Sequence, residues 1–151
     1  MDFNIYIRSL NYHLLKNRIK KNEGFSKNSY KDKLGYATIG YGHLIKKKEK
    51  HLMKKKYNKI FFEELFEKDF AIAALHCQKK FKKFFFNKKT EELIIEMIFQ
   101  MGLKKVLKFK RMLYYVKKNN KYLASLEMMD SLWYKQTPKR VENLIYNYLK
   151  K

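Results

Sequence analysis

Carboxylates are scarce in the first third of this chain, and the few present are spaced for chemistry. Ahead of residue 49 stand only Asp2, Glu23 and Asp32, in a segment crowded with lysines. Glu23 falls where an N-terminal helix should end, immediately before Gly24. Asp32 lies nine residues on in a turn region, and Thr38 six beyond that on the returning strand. Two carboxylates flanking a cleft, with a hydroxyl to hold a water, are the parts of inverting glycoside hydrolysis. One acid protonates the leaving oxygen while the other, ionised, activates water on the opposite face. Spacing alone favours a plainer reading, because isolated acids among lysines usually serve as solvated ion-pair partners.

Other chemistries find less support. Gly40-Tyr41-Gly42-His43 lacks the third glycine and the Lys-Ser/Thr of a nucleotide loop. The histidines at 13, 43, 51 and 76 show no metal-ligand spacing, so no metal is expected. The single cysteine, Cys77, closes no intramolecular disulfide and reads as a small buried hydrophobe.

The elements that must position these residues follow from the punctuation. Gly24, Gly35, Gly40 and Gly42 cluster, so residues 24–45 read as a short β-hairpin region. After about residue 57 everything reads as helix. Asn58 caps a long helix reaching about Lys80, and Thr90 caps a helix, apolar nearly all round, that ends at Gly102. Further helices are expected at 104–118, 121–130 and 137–149, the last with Thr137 as cap and Pro138 at its first position.

At 151 residues, with 46% apolar residues, the chain can bury a core without disulfides. Its 36 Lys+Arg against 14 Asp+Glu give a net charge of +22, and only Arg8, Arg18, Arg111 and Arg140 are arginines. Lys, Asn, Tyr, Ile and Phe run high together, as AT-rich codons supply them, so the charge reads either as drift or as attraction to a polyanion. Specific nucleic-acid binding is disfavoured by the scarcity of Arg. Met1 to Tyr12 lacks the features of a signal peptide, and no window is long and apolar enough to span a membrane. A basic segment from Cys77 to Lys89, with Phe81 and Phe84-Phe85-Phe86, offers a membrane-disrupting alternative, against which those phenylalanines are expected to fill the core.

Three separated motifs add a resemblance. Glu23-Gly24, Tyr30-Lys31-Asp32 and Thr38-Ile39-Gly40-Tyr41-Gly42-His43 together resemble the signature of the phage-type lysozymes (endolysins), glycoside hydrolase family 24, and in particular its T-even phage branch. Glu96-Met97-Ile98-Phe99-Gln100-Met101-Gly102 is similar to that family's central buried helix. Trp133-Tyr134-Lys135-Gln136-Thr137-Pro138-Lys139-Arg140 is similar to its Trp-Tyr-x-Gln-Thr-Pro-x-Arg segment.

The resemblance implies an α+β, mainly α, lysozyme-like fold. Its small hairpin lobe would occupy about 13–58, a connecting helix about 59–80 and a helical lobe about 81–151. It implies no cofactor, Glu23 as general acid, and Asp32 and Thr38 holding and activating the water. Leu44, Phe99, Gln100 and Arg140 would line the sugar site, Arg140 also matching an arginine that pairs with the glutamate. His43 and Asp69 would support the structure as a pair. The implied substrate is the β-1,4 link between N-acetylmuramic acid and N-acetylglucosamine of peptidoglycan. The lysine-rich surface would favour anionic wall or outer-membrane polymers. A monomer is expected, held in the host cytoplasm until it is released to the wall. Departures from the T-even branch are a shorter, very basic stretch between His43 and Asp69, and Met112 and Glu127 at two sugar-contacting positions. The last C-terminal turns are missing, and the extra N-terminal residues 1–12 are expected to pack on the helical lobe.

Overall fold

The computed structural model describes residues 12–151, in two compact units whose boundary falls between Ile72 and Ala73. The expectation for residues 1–12 thus lies, but for Tyr12, outside the described residues. Tyr12 is buried and packs on the ring of Phe70.

Among the described residues, the first unit's first helix is α1, His13–Glu23. Its Leu15 and Ile19 are fully buried, one turn apart, which fixes the inward face. Lys16 donates to Glu67 at 2.6 Å and Lys20 donates to Glu63. Both acceptors belong to helix α2, Lys59–Phe81. As the α1 position advances by four the α2 position falls back by four, so the two helices run antiparallel in that register. The ammonium groups of Lys16 and Lys20 also lie over the rings of Phe70 and Phe66, at 5.1 and 4.7 Å. A lysine that shields an aromatic face with its stem while its head pairs with a carboxylate covers the core and fixes register together.

Between these helices runs an antiparallel sheet of β1 (Ser26–Lys31), β2 (Ala37–Gly40) and β3 (His43–Leu44), in that order. The expected hairpin therefore gains a third, two-residue strand. Tyr30 pairs with Thr38 and Thr38 with Leu44, forming one cross-strand row; Ile39 pairs with His43 in the next. Successive residues face opposite sides of a sheet. Ile39 accordingly joins Leu52 and Phe62 in a small core, with Ile45, Tyr57, Phe61 and Leu65 packed around it. The basic stretch after β3 forms a 3-10 helix, Lys47–Met53, that contributes Leu52 to this core. Asn58 caps α2 as expected, its side-chain oxygen accepting from the Phe61 N–H at 2.9 Å.

The second unit holds the rest of α2 and helices α3 (Lys88–Met101), α4 (Leu103–Val106), α5 (Lys110–Lys117), α6 (Lys121–Met129), α7 (Leu132–Gln136) and α8 (Pro138–Leu149). Residues 93–98 of α3 are all buried, including Glu96. Three expectations need correction. The cap of α3 is Asn87, whose side chain accepts from the Thr90 N–H at 3.0 Å, so the helix starts earlier and Thr90 is buried within it. The helix expected at 104–118 is two, because the Lys108 and Phe109 N–H groups turn back to the carbonyls three residues earlier. Phe109 leaves helical geometry there and stands edge-on to Trp133. Of the phenylalanines expected to fill the core, Phe81 is buried but Phe85 is exposed. Thr137 does occupy the cap position of α8, but its hydroxyl donates back to the Trp133 carbonyl.

Gly40 shows how closely the small sheet rides on α2. It has φ +65, and a Cβ there would lie 3.0 Å from a ring carbon of Phe62. Left-handed backbone disfavours L side chains, and the contact adds to it. Gly40→Ala should therefore cost about 1–2 kcal/mol, read as a lower urea midpoint with unchanged slope.

Candidate active site

Six of the residues singled out in the sequence fall in the first unit. Glu23 is the last residue of α1 and is half-buried. The chain leaves the helix through Gly24 (φ 71), whose N–H closes on the Lys20 carbonyl at 3.0 Å. Glu23 lies against the β2–β3 turn: a Cβ on Gly42 would stand 2.7 Å from its Oε2, nearer than atoms can approach. A side chain at Gly42 would thus push the Glu23 carboxyl aside, and the positive φ there favours glycine in its own right.

Asp32 organises the β1–β2 turn. Its Oδ1 accepts from the N–H groups of Leu34 and Tyr36, each at 2.9 Å, and its own N–H donates to the Tyr36 carbonyl at 2.9 Å. That same carbonyl receives the Thr38 hydroxyl at 3.0 Å. Asp32 and Thr38 are therefore tied to one another through Tyr36. Thr38 is buried in its row between Tyr30 and Leu44, both exposed. Its proton is committed to Tyr36, so towards anything else the hydroxyl is an acceptor.

Tyr30 shows that the two acids share one neighbourhood. Burial, and then the negative charges of Glu23 and Asp32, hold its phenol above the usual tyrosine range. It stays neutral in the field of both carboxyls. Tyr41, in the turn carrying Gly42, donates to Glu63 at 2.7 Å and accepts from Lys59 at 2.6 Å.

His43 is buried with both ring nitrogens facing carboxylates: Nδ1 to Asp69 at 2.8 Å and Nε2 to Glu49 at 3.1 Å. Burial pushes the imidazole pKa down, but the hydrogen bonds and charges of Asp69 and Glu49 outweigh it, and the net displacement is upward. Glu49 is displaced downward: burial opposes ionisation, and the Lys46 backbone N–H together with His43 overcomes it. His43 has no nitrogen left for a metal, and no set of side chains among the described residues is arranged to hold one.

Phe99, Gln100 and Arg140 belong to the second unit, all half-buried. Trp133 donates its indole N–H to Gln100 Oε1 at 3.1 Å, fixing the amide and leaving its nitrogen as the donor Gln100 offers. Arg140 sits in the first turn of α8. Of the two altered positions, Met112 is a core residue and Glu127 pairs with Arg111 at 2.8 Å. Reading by residue type missed Glu49, Glu63 and Tyr41 as supports of the site. Glu49, the lone acid in Lys46-Lys47-Lys48-Glu49-Lys50, was the one with a visible signal.

A helix ending in an acid, a glycine-rich antiparallel sheet, a long helix and a mainly helical remainder make this an α+β lysozyme-like fold. The pattern of the phage lysozyme family matches residues 20–147, and the chain belongs to that family. It is 33% identical to Probable T4-type lysozyme 1 of Dictyostelium discoideum, over 87% of this chain and 91% of that protein. Probable T4-type lysozyme 2 of the same organism is also 33% identical, with the same coverage of each chain. Membership places the protein among glycoside hydrolases.

The His43 clamp has a signed pH dependence. A raised histidine pKa contributes stability that is complete below about 6.5 and is lost as pH rises through the folded value. Glu49, lowered, contributes above about 4.5 and loses its share as pH falls. Urea denaturation from pH 5 to 9 should show stability declining above about pH 6.5. In His43→Gln that decline should be flattened, and the variant should be less stable at pH 5.

Proposed function

We propose that this protein is a lysozyme that cleaves the β-1,4 bond between N-acetylmuramic acid and N-acetylglucosamine in bacterial peptidoglycan, with inversion, and so lyses bacterial cells. The observation that carries this reading is the convergence of Asp32 and Thr38 on the Tyr36 carbonyl, with Tyr30 in the field of both Asp32 and Glu23.

In this mechanism Glu23 donates its proton to the glycosidic oxygen as the bond to the anomeric carbon breaks. A water held by Asp32 and Thr38 attacks that carbon from the opposite face, and Asp32 takes the proton the water loses. The hydrogen-bond directions favour this. Asp32 Oδ1 is engaged by two backbone N–H groups, which turns the carboxylate's other oxygen to the water. Thr38 can only accept. A water donating one O–H to each keeps a lone pair for the sugar. Leu44, Phe99, Gln100 and Arg140 are assigned to sugar binding, and the surface lysines to anionic wall polymers through salt-sensitive attraction.

Digestion of purified peptidoglycan should release reducing ends whose first-formed anomer is α. A β anomer would indicate retention, and an anhydro terminus a transglycosylase. Glu23→Gln should lower kcat by about 10²–10⁴. Thr38→Val keeps the shape but loses both the acceptor and the tie to Tyr36, and should lower kcat by roughly ten- to a hundred-fold. Gly42→Ala should displace the Glu23 carboxyl and lower kcat more than it raises KM. Unchanged turnover in Glu23→Gln would remove the assignment.

A further inference from the structure

One surface of the second unit is unused by the proposed reaction. Between Asp69 and Glu91 the chain carries Lys79, Lys80, Lys82, Lys83, Lys88 and Lys89 and no acid. There α2 ends at Phe81, and a 3-10 turn over Lys82–Phe84 leads to Phe85. Phe81 is buried and stacks on Phe86 at 5.5 Å, and Phe86 stacks on Phe84 at 5.9 Å. The ammonium groups of Lys83 and Lys117 stand 5.2 and 4.8 Å from the Phe84 centroid. Beside this aromatic base Phe85 is 90% exposed.

Its backbone makes that exposure more informative. Phe85 adopts φ 49, ψ 49, the left-handed region, where a bulky side chain is a rare and costly outlier. Glycine would occupy the position without that cost. The ring recovers little by burial within its own chain. A residue that is both strained and displayed is best explained by something outside the molecule that the ring enters.

We propose that Phe85 is the apex of a lipid-docking surface. Its ring enters the acyl region of an anionic bilayer while Lys82, Lys83 and Lys117, all exposed, meet the phosphate headgroups. Charge complementarity selects this occupant, since the stretch offers cations without a single acid to repel an anionic surface. Lysine suits the task, because its flexible stem lies along apolar groups while its head stays with the headgroups. Such docking would hold the hydrolase at the membrane-facing layer of the wall. The surface shares no residue with the proposed catalytic set, so failure of one assignment leaves the other standing.

The test is co-sedimentation of the full chain with vesicles of equimolar phosphatidylglycerol and phosphatidylcholine at about 0.1 M salt. The protein should bind these and not vesicles of phosphatidylcholine alone. Phe85→Ser should weaken partitioning about ten-fold, with hydrolysis of soluble peptidoglycan fragments unchanged. Phe85→Leu should retain most of the binding. Phe85→Gly should melt higher than the wild type, by releasing the left-handed strain, yet bind as weakly as Phe85→Ser. The indole introduced by Phe85→Trp should be quenched by brominated acyl chains, while the buried Trp133 is not. Equal partitioning of the wild type and Phe85→Ser would overturn the proposal, as would an unquenched introduced indole. So would a Phe85-dependent dimer without vesicle binding, which would give the surface to a second copy of the chain.

Discussion

One carboxylate, that of Glu63, joins the elements on which the position of Glu23 depends. It accepts from Lys20 in the last turn of α1 and from Tyr41 in the β2–β3 turn, and is itself part of α2. Lys20 lies one turn before Glu23, and Tyr41 directly precedes the glycine against which the Glu23 carboxyl rests. Burial resists ionisation of Glu63, but Lys20, Tyr41 and Lys59 outweigh it, and its pKa is held below the usual glutamate range. The side chain is more than a third exposed, so its pairs contribute little to stability. Their value is geometric: three elements with different directions are referred to a single point.

Much of this was legible in the sequence, for identifiable reasons. Asn58 as cap, the glycine cluster and the apolar run of α3 are local signals, and local signals survive folding when nothing competes with them. Helix starts failed where a better acceptor lay just upstream, as Asn87 does for Thr90. The break after α4 failed because Phe109 turns out of the helix to meet Trp133, a tertiary contact no window contains. Glu23, Asp32 and Thr38 were singled out by the family resemblance, since type and spacing alone favoured reading the two acids as ion-pair partners. Glu63 and Tyr41 were not, since an acid and a tyrosine at those positions look like any others until α1 and the turn are brought alongside.

Two groups of lysines differ in a way that a net charge conceals. Lys16, Lys20 and Lys59 are structural, each paired with a carboxylate and each lying over an aromatic ring. Lys59 stands 3.6 Å from the centroid of Phe25, the residue that follows the Glu23–Gly24 corner. In these places a methylene stem and a cation are needed together, and both codon supply and structure would produce the same letter. Lysines around Phe84 belong to the other group, set on aromatic rings with no acid in the local sequence.

Cys77 carries a consequence of a different kind. The thiol is buried in the second unit, and burial, with a smaller push from Glu91, raises its pKa to about 12. At neutral pH the thiolate, the form that attacks disulfides and meets oxidants, is then a negligible fraction. The fold uses no intramolecular disulfide, and its one thiol is buried. The folded state therefore does not depend on an oxidised cysteine pair, and thiol–disulfide exchange finds no ready nucleophile at Cys77.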